Sequence, residues 1–239
     1  MEYKKIQKGI FIERPNRFVA RVNIEGTEET VHVKNTGRCK ELLVPGAEVY
    51  LEDFIGRMEN RKNRYSLVGV KKGELMINMD SQAPNQVVKE ALAEGKLRLP
   101  GMEQLILVKG EQKYGDSRLD FYVEDQKGQT GLAEVKGVTL EESGIVRFPD
   151  APTQRGVKHI EELIKAQSQG YLTWIIFVIQ MKGISFFEPN DATHPEFGDA
   201  LRKAAASGVE LLAYDCHVTE NSMALADPVE IRLEKQSGR

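Results

Sequence analysis

Between residues 9 and 79 apolar and polar positions alternate in short runs. Phe18, Ala20, Val22 and Ile24 alternate with Val19, Arg21 and Asn23, the period of a strand with one buried face. On that reading Phe18 belongs to the core rather than to a stacking platform, and Arg21 points outward. Gly9–Ile12, Val31 with Val33, Glu48–Phe54, Tyr65–Val70 and Leu75–Met79 add further short strands. Glu25-Gly26, Val44-Pro45-Gly46 and Lys71-Lys72-Gly73 supply turns between them. Five or so strands in this span predict a small closed barrel.

The pattern then changes. Asp80–Asn85 is polar and carries Pro84, which suggests a linker. Asn85–Glu94 has the helical period, with Val87, Val88, Ala91 and Leu92 apolar and Asn85 placed to cap it. Leu105–Val108 begins a strand. Two apolar runs, Arg118–Val123 and Leu132–Lys136, flank a polar turn and predict a hairpin. Thr153 is a plausible cap for a helix whose stripe is Val157, Ile160, Leu163 and Ile164. Tyr171–Ile179 is nearly all apolar, as in a central strand covered on both faces. A helix over Pro195–Ser207 and strands at Val209–Tyr214 and Pro228–Leu233 complete an α/β sheet with an antiparallel front. His194 and His217 are expected at the surface. The predicted organisation is a barrel over residues 1–82, of the OB-like kind, and an α/β domain with a mixed sheet over residues 83–239.

Charge sharpens this picture. The 239 residues carry a formal net charge of −3. Residues 1–72 hold 15 Lys+Arg against 10 Asp+Glu, and the remainder 18 against 26. A basic first third on an acidic body suits phosphate contact by one part and carboxylate chemistry by the other. Arg14, Arg17, Arg21, Lys34, Arg38 and Lys40 are candidates for one basic face. Asn35-Thr36-Gly37-Arg38 either grips a phosphate or base edge or forms an ordinary Asx-type turn. No apolar run approaches a membrane span, and Met1–Lys5 lacks a signal-peptide core. Two distant cysteines, Cys39 and Cys216, suggest a reducing, cytoplasmic setting and exclude a Cys-based zinc site of the usual kind.

Within the hairpin, charges interrupt apolar strands. Asp120 lies between Leu119 and Phe121, and Glu134 and Lys136 bracket Val135, so Glu134 and Lys136 share a face. Such charges are costly unless paired or metal-bound. An acid on one strand with Glu-x-Lys on its neighbour is the pattern of the PD-(D/E)xK nuclease core. Asp120 and Glu134 are the candidate ligands for Mg²⁺ or Mn²⁺, and Lys136 would orient water or offset phosphate charge. Glu90, on the preceding helix, is a candidate fourth catalytic group. Arg155, Lys158 and His159 crowd the first turns of the helix after Thr153, where cations oppose the helix dipole unless an anion docks there. With Arg17, Arg21, Asn35, Thr36 and Arg38 they form the predicted nucleic-acid contacts.

The chain resembles the sugar fermentation stimulation protein (SfsA) family of bacteria and archaea over nearly its whole length. The matching stretches are Asn35-Thr36-Gly37, Lys113-Tyr114-Gly115 with Ser117-Arg118 and Asp120-Phe121, Glu134-Val135-Lys136 with Val138-Thr139-Leu140, and Phe148-Pro149-Asp150-Ala151 with Thr153, Arg155-Gly156 and Lys158-His159. One departure is Gly137, where Ser is expected. The resemblance implies an N-terminal OB-like domain, a nuclease-like C-terminal domain, DNA binding, and in bacteria a role in regulating sugar (maltose) metabolism. Two readings result: a Mg²⁺-dependent DNA-cleaving enzyme, or a DNA-binding regulator without turnover. RNA is not excluded as the partner.

Overall fold

The computed structural model describes residues 1–35, 37–58 and 61–235. Strands β1 (Ile6–Asn16), β2 (Val19–Ile24), β3 (Thr27–Val33), β4 (Glu48–Asp53) and β5 (Tyr65–Lys72) close into a barrel, with β6 (Leu75–Asn78) hairpinned onto β5. The order is β3-β2-β1-β4-β5, and the parallel pairing His32↔Ser66 and Val33↔Leu67 closes the ring. β2 turns into β3 through Glu25 and Gly26, both at positive φ, the geometry of a two-residue hairpin loop. Ala20, Val22, Ile24, Val31 and Val33 fill the interior as the alternation predicts.

Phe18 departs from that alternation: 46% of it is exposed, with the Arg17 guanidinium 4.7 Å from its ring centroid. It precedes the first residue of β2, and the β1–β2 register shifts between Glu13 and Asn16, so the parity of β2 does not extend to it.

Helix α1 (Ala83–Ala93) follows, starting two residues earlier than its pattern suggests. Gln82, not Asn85, is its cap residue. Then come β7 (Leu105–Tyr114), β8 (Ser117–Asp125), β9 (Thr130–Val138), β10 (Leu140–Glu142), β11 (Ile145–Phe148), α2 (Gln154–Ser168), β12 (Leu172–Ile179), β13 (Phe186–Pro189), α3 (Pro195–Ala206), β14 (Glu210–Val218), β15 (Met223–Pro228) and β16 (Glu230–Ile231). The larger sheet has the order β15-β14-β12-β9-β8-β7. β12 runs parallel to β9 and β14, and β8 runs antiparallel to both β9 and β7. A second, four-stranded sheet, β10-β11-β13-β16, has no counterpart in the predicted element order.

β12 is covered on both faces. Trp174, Ile176 and Val178 pack with α1, while Ile175, Phe177 and Ile179 pack with α2 and α3. All six are fully buried. Thr153 caps α2 by accepting from the Gly156 amide at 3.0 Å.

The stretch expected as a linker is a buried junction. Asp80 is buried and pairs with Lys34 at 2.5 Å. The Gln180 side chain, just beyond β12, donates to the Asn78 carbonyl, the Asn78 side chain and the Asp80 carbonyl at 2.9–3.1 Å. One apolar cluster runs from the barrel interior to the α2–α3 side of the larger sheet. His194 is also buried, its Nδ1 accepting from the Thr153 amide at 3.3 Å, whereas His217 is exposed as expected. Among the described residues no helix is long and apolar enough to cross a membrane.

Candidate active site

β8 stays paired with β7 along its length, but it pairs with β9 only from Phe121↔Ala133 to Glu124↔Thr130. β9 itself continues along β12 as far as Val138↔Ile179. The sheet therefore forks at Asp120, and the Asp120 carboxylate occupies the crotch. Its Oδ2 accepts the Val135 amide at 2.8 Å, a donor that continued pairing would have sent to the β8 backbone. Its Oδ1 accepts from the Asn85 side chain on α1 at 2.7 Å.

Across the fork, Glu134 is only 3% exposed. Its Oε1 accepts from Lys136 Nζ at 2.6 Å and from His159 Nδ1 at 2.5 Å. His159 Nε2 in turn accepts from Arg155 Nε at 3.3 Å, which leaves the ring hydrogen on Nδ1, the tautomer that donates to Glu134. Glu134 Oε2 is buried and has no hydrogen-bond partner among the described residues. A buried, ionised oxygen without a donor is costly unless something binds it.

The two carboxyls are driven apart in acidity. Burial pushes Asp120 above the usual carboxylate range and the neighbouring Glu134 charge adds to this, against the weaker pull of Val135 and Asn85. Burial pushes Glu134 upward as well, but the His159 hydrogen bond and Lys136 outweigh it and hold the group below its ordinary value. Two hard oxygen donors, one with a vacant buried oxygen, fit a small divalent cation. Each Asp120 oxygen keeps a second lone pair for it. Among the described residues no group of three or more His, Cys, Asp or Glu side chains forms a denser cage. The chain thus supplies two carboxylates and leaves the rest of a coordination shell to other ligands.

The structure brings Asp120, Glu134 and Lys136 together and leaves Glu90 out. Glu90 instead accepts from the Met1 amine at 2.7 Å and from Gln86 at 2.7 Å. Asn85 is the α1 side chain at the fork. His159, expected at a phosphate, is 5% exposed and serves Glu134. A signal for this existed, since His159 falls on the Gly156, Ile160, Leu163 and Ala166 stripe that α2 buries. Asn85 offered none beyond being polar in a first turn.

Arg155 and Lys158 are both exposed at the start of α2, Lys158 reaching the Asp116 carbonyl at 3.4 Å. On the barrel, Arg17 and Arg38 are exposed, and Arg21 pairs with Glu13 and Glu28 at 3.2 and 3.6 Å. Arg14 turns inward and donates to the carbonyls of Arg17, Asn35, Gly37 and Arg38 at 2.7–3.0 Å. Asn35 Oδ1 accepts the Gly37 amide at 2.8 Å, the Asx-type turn. Thr36 lies outside the described residues.

A small barrel of the OB kind joined to a nuclease-like α/β fold, with opposed carboxylates and a lysine at a strand fork, defines the class. The chain belongs to the sugar fermentation stimulation protein family. Residues 12–79 match the model of the SfsA N-terminal OB domain, and residues 82–222 that of the sugar fermentation stimulation protein RE domain. Sugar fermentation stimulation protein homologs from Clostridium beijerinckii and Desulfitobacterium hafniense (strain DSM 10664 / DCB-2) are 54% and 51% identical, each covering 98% of this chain and 100% and 99% of their own. The solved structure of Pyrococcus furiosus SfsA in complex with Ca²⁺ is similar at a TM-score of 0.86 and 29% identity, covering 97% of this chain and 98% of that one.

Proposed function

We propose that this protein binds DNA and, with Mg²⁺ or Mn²⁺, hydrolyses its phosphodiester bonds through a PD-(D/E)xK site. The observation that carries the reading is the vacant, buried Oε2 of Glu134 beside the fork that Asp120 occupies. Pyrococcus furiosus SfsA was solved in complex with Ca²⁺, which supports a hard-cation site in the family.

Asp120 and Glu134 would hold the ion. Bound there, it would polarise a phosphate oxygen and lower the pKa of a ligand water. Asn85 and His159 fix the two carboxylates from opposite faces of the sheet. Lys136 Nζ spends one N–H on Glu134 and keeps two for a phosphate oxygen or the attacking water. Arg17, Arg38, Arg155 and Lys158 offer positive charge for the DNA backbone.

Nicking of supercoiled plasmid with Mn²⁺ tests the proposal. Wild type should cut, and both EDTA and Asp120→Ala should stop it. DNA binding that keeps its strength from low to high salt would count against phosphate contact. The second reading, a DNA-binding regulator of sugar (maltose) metabolism genes, is favoured by the sparseness of the site: among the described residues no third side-chain ligand stands beside the pair. Under that reading Asp120→Ala binds DNA as wild type does, and neither protein cuts.

A further inference from the structure

Immediately after Lys136, β9 reaches a second feature. Gly137 and Thr139, with Arg147 and Asp150 beyond, face Asn35 and Gly37 of the barrel across a cleft of about 190 Å³. This is below the size of a drug-like ligand site and equals the space of about six waters.

The polar groups around it are only half used. Asn35 spends its Oδ1 on the Gly37 amide, and its side-chain NH₂ has no partner among the described residues. Asp150 spends Oδ2 on the Arg38 amide at 2.9 Å, and its Oδ1 has none among them either. Arg147 places Nε on Glu188 at 2.6 Å and Nη1 on Glu142 at 3.1 Å, and its Nη2 has no hydrogen-bond partner among the described residues. The cleft therefore offers an acceptor and two donors. A carboxylate at its wall disfavours a phosphate. A flat heterocycle with an N–H beside a lone pair matches the set, and every nucleobase carries such an edge.

We propose that this cleft is a subsite for one unpaired nucleobase of the strand bound at the fork, its edge read by Asn35 and Asp150. The inference rests on the DNA-binding reading and adds to it a demand for a base out of its stack, next to the cleavage position. It places the barrel loop and the α/β part on the same nucleotide.

Two isosteric swaps test it. Asn35→Asp keeps the acceptor for Gly37 and replaces the free donor by an acceptor. Asp150→Asn keeps the acceptor for Arg38 and does the reverse. Affinities are read by fluorescence anisotropy in EDTA for a single-stranded oligodeoxynucleotide and for the same strand made of abasic residues. Wild type should prefer the base-bearing strand by about tenfold or more, and each variant should lower that ratio roughly tenfold. Asn35→Asp adds a negative charge and Asp150→Asn removes one, so an electrostatic effect alone moves the two variants in opposite directions on both strands. That outcome, or an unchanged ratio, overturns the subsite while leaving DNA binding standing. Failure of wild type to bind either strand overturns the DNA-binding reading and the subsite with it.

Discussion

Replacing His159 by Ala should weaken divalent-ion binding without removing either carboxylate. His159 is buried and donates to Glu134 Oε1 at 2.5 Å, with Lys136 as the second donor at 2.6 Å. Losing it strips one of two hydrogen bonds from an ionised acceptor, an interaction of about 1.5–3 kcal/mol. Glu134 is then free to rotate about its side chain, and its vacant Oε2 is no longer aimed. Loss of partners that orient metal ligands costs roughly 10–100-fold in affinity, or about 1.4–2.7 kcal/mol, in line with the hydrogen-bond figure. The assay is calorimetric titration with Mn²⁺, with Glu134→Ala as the variant that should show no binding. His159→Asn restores a donor near the Nδ1 position and should recover most of the affinity. A circular dichroism spectrum matching wild type establishes that each variant is folded. If folded His159→Ala binds Mn²⁺ as tightly as wild type, the imidazole does not position Glu134 and the reasoning fails.

Three further outcomes are expected. Asp120 carries a raised pKa in the folded state, so it costs no stability below the ordinary carboxylate value, costs increasingly as pH rises from there to the folded value, and costs a constant amount above it; metal-free Asp120→Asn should match wild type in unfolding free energy from urea titration near pH 3 and exceed it at pH 7 by on the order of 1 kcal/mol, with Asn85 turned to present its oxygen. Asp53 behaves in the opposite sense, because its two hydrogen bonds from Arg64, both 2.8 Å, hold its carboxyl well below the usual range; Asp53→Asn should lower the thermal midpoint by about 2–4 °C at neutral pH, and the difference should shrink as pH falls below about 4. Phe18→Ala should change stability by less than about 0.5 kcal/mol, since the ring is largely exposed, yet weaken single-stranded DNA binding roughly tenfold in anisotropy; an unchanged affinity would remove Phe18 as a stacking surface.

The charged triad was legible because charge inside a period-2 apolar run has few structural explanations. The α2 cap was legible because Thr153 sits just ahead of a helical stripe. What pattern reading missed depends on distance and rotation. Asn85 and Glu90 share α1, but five residues at about 100° each place them roughly 140° apart on the wheel, so both cannot reach Asp120. Polar composition made residues 80–85 look solvent-exposed. Their partners, Lys34 and Gln180, lie 46 and 100 residues from Asp80, and only the fold brings them there. The fork itself left no mark in the alternation of β8 or β9, since it is a change of pairing and not of strand character.

The separation of barrel and fork is set by buried hydrogen bonds, and this is why one strand of DNA could meet both. β9 passes Gly137 so closely that a Cβ there would sit 2.5 Å from Gln180 Oε1 and 2.7 Å from Pro84 Cγ. A side chain at this position, such as the Ser expected from the resemblance, would push on the same Gln180 that holds Asn78 and Asp80. Asp80 in turn holds Lys34, the residue before Asn35. Arg14 then fastens this stretch through three carbonyls, those of Asn35, Gly37 and Arg38. The chain of contacts therefore runs from the residue after Lys136, through Gln180 and Asp80, to the barrel loop that faces the cleft. A barrel free to swing on a polar tether would have to be ordered by the DNA at an entropic cost. Here that ordering is already made in folding, so under the proposed readings a base at the barrel loop would have a fixed offset from a phosphate at the fork.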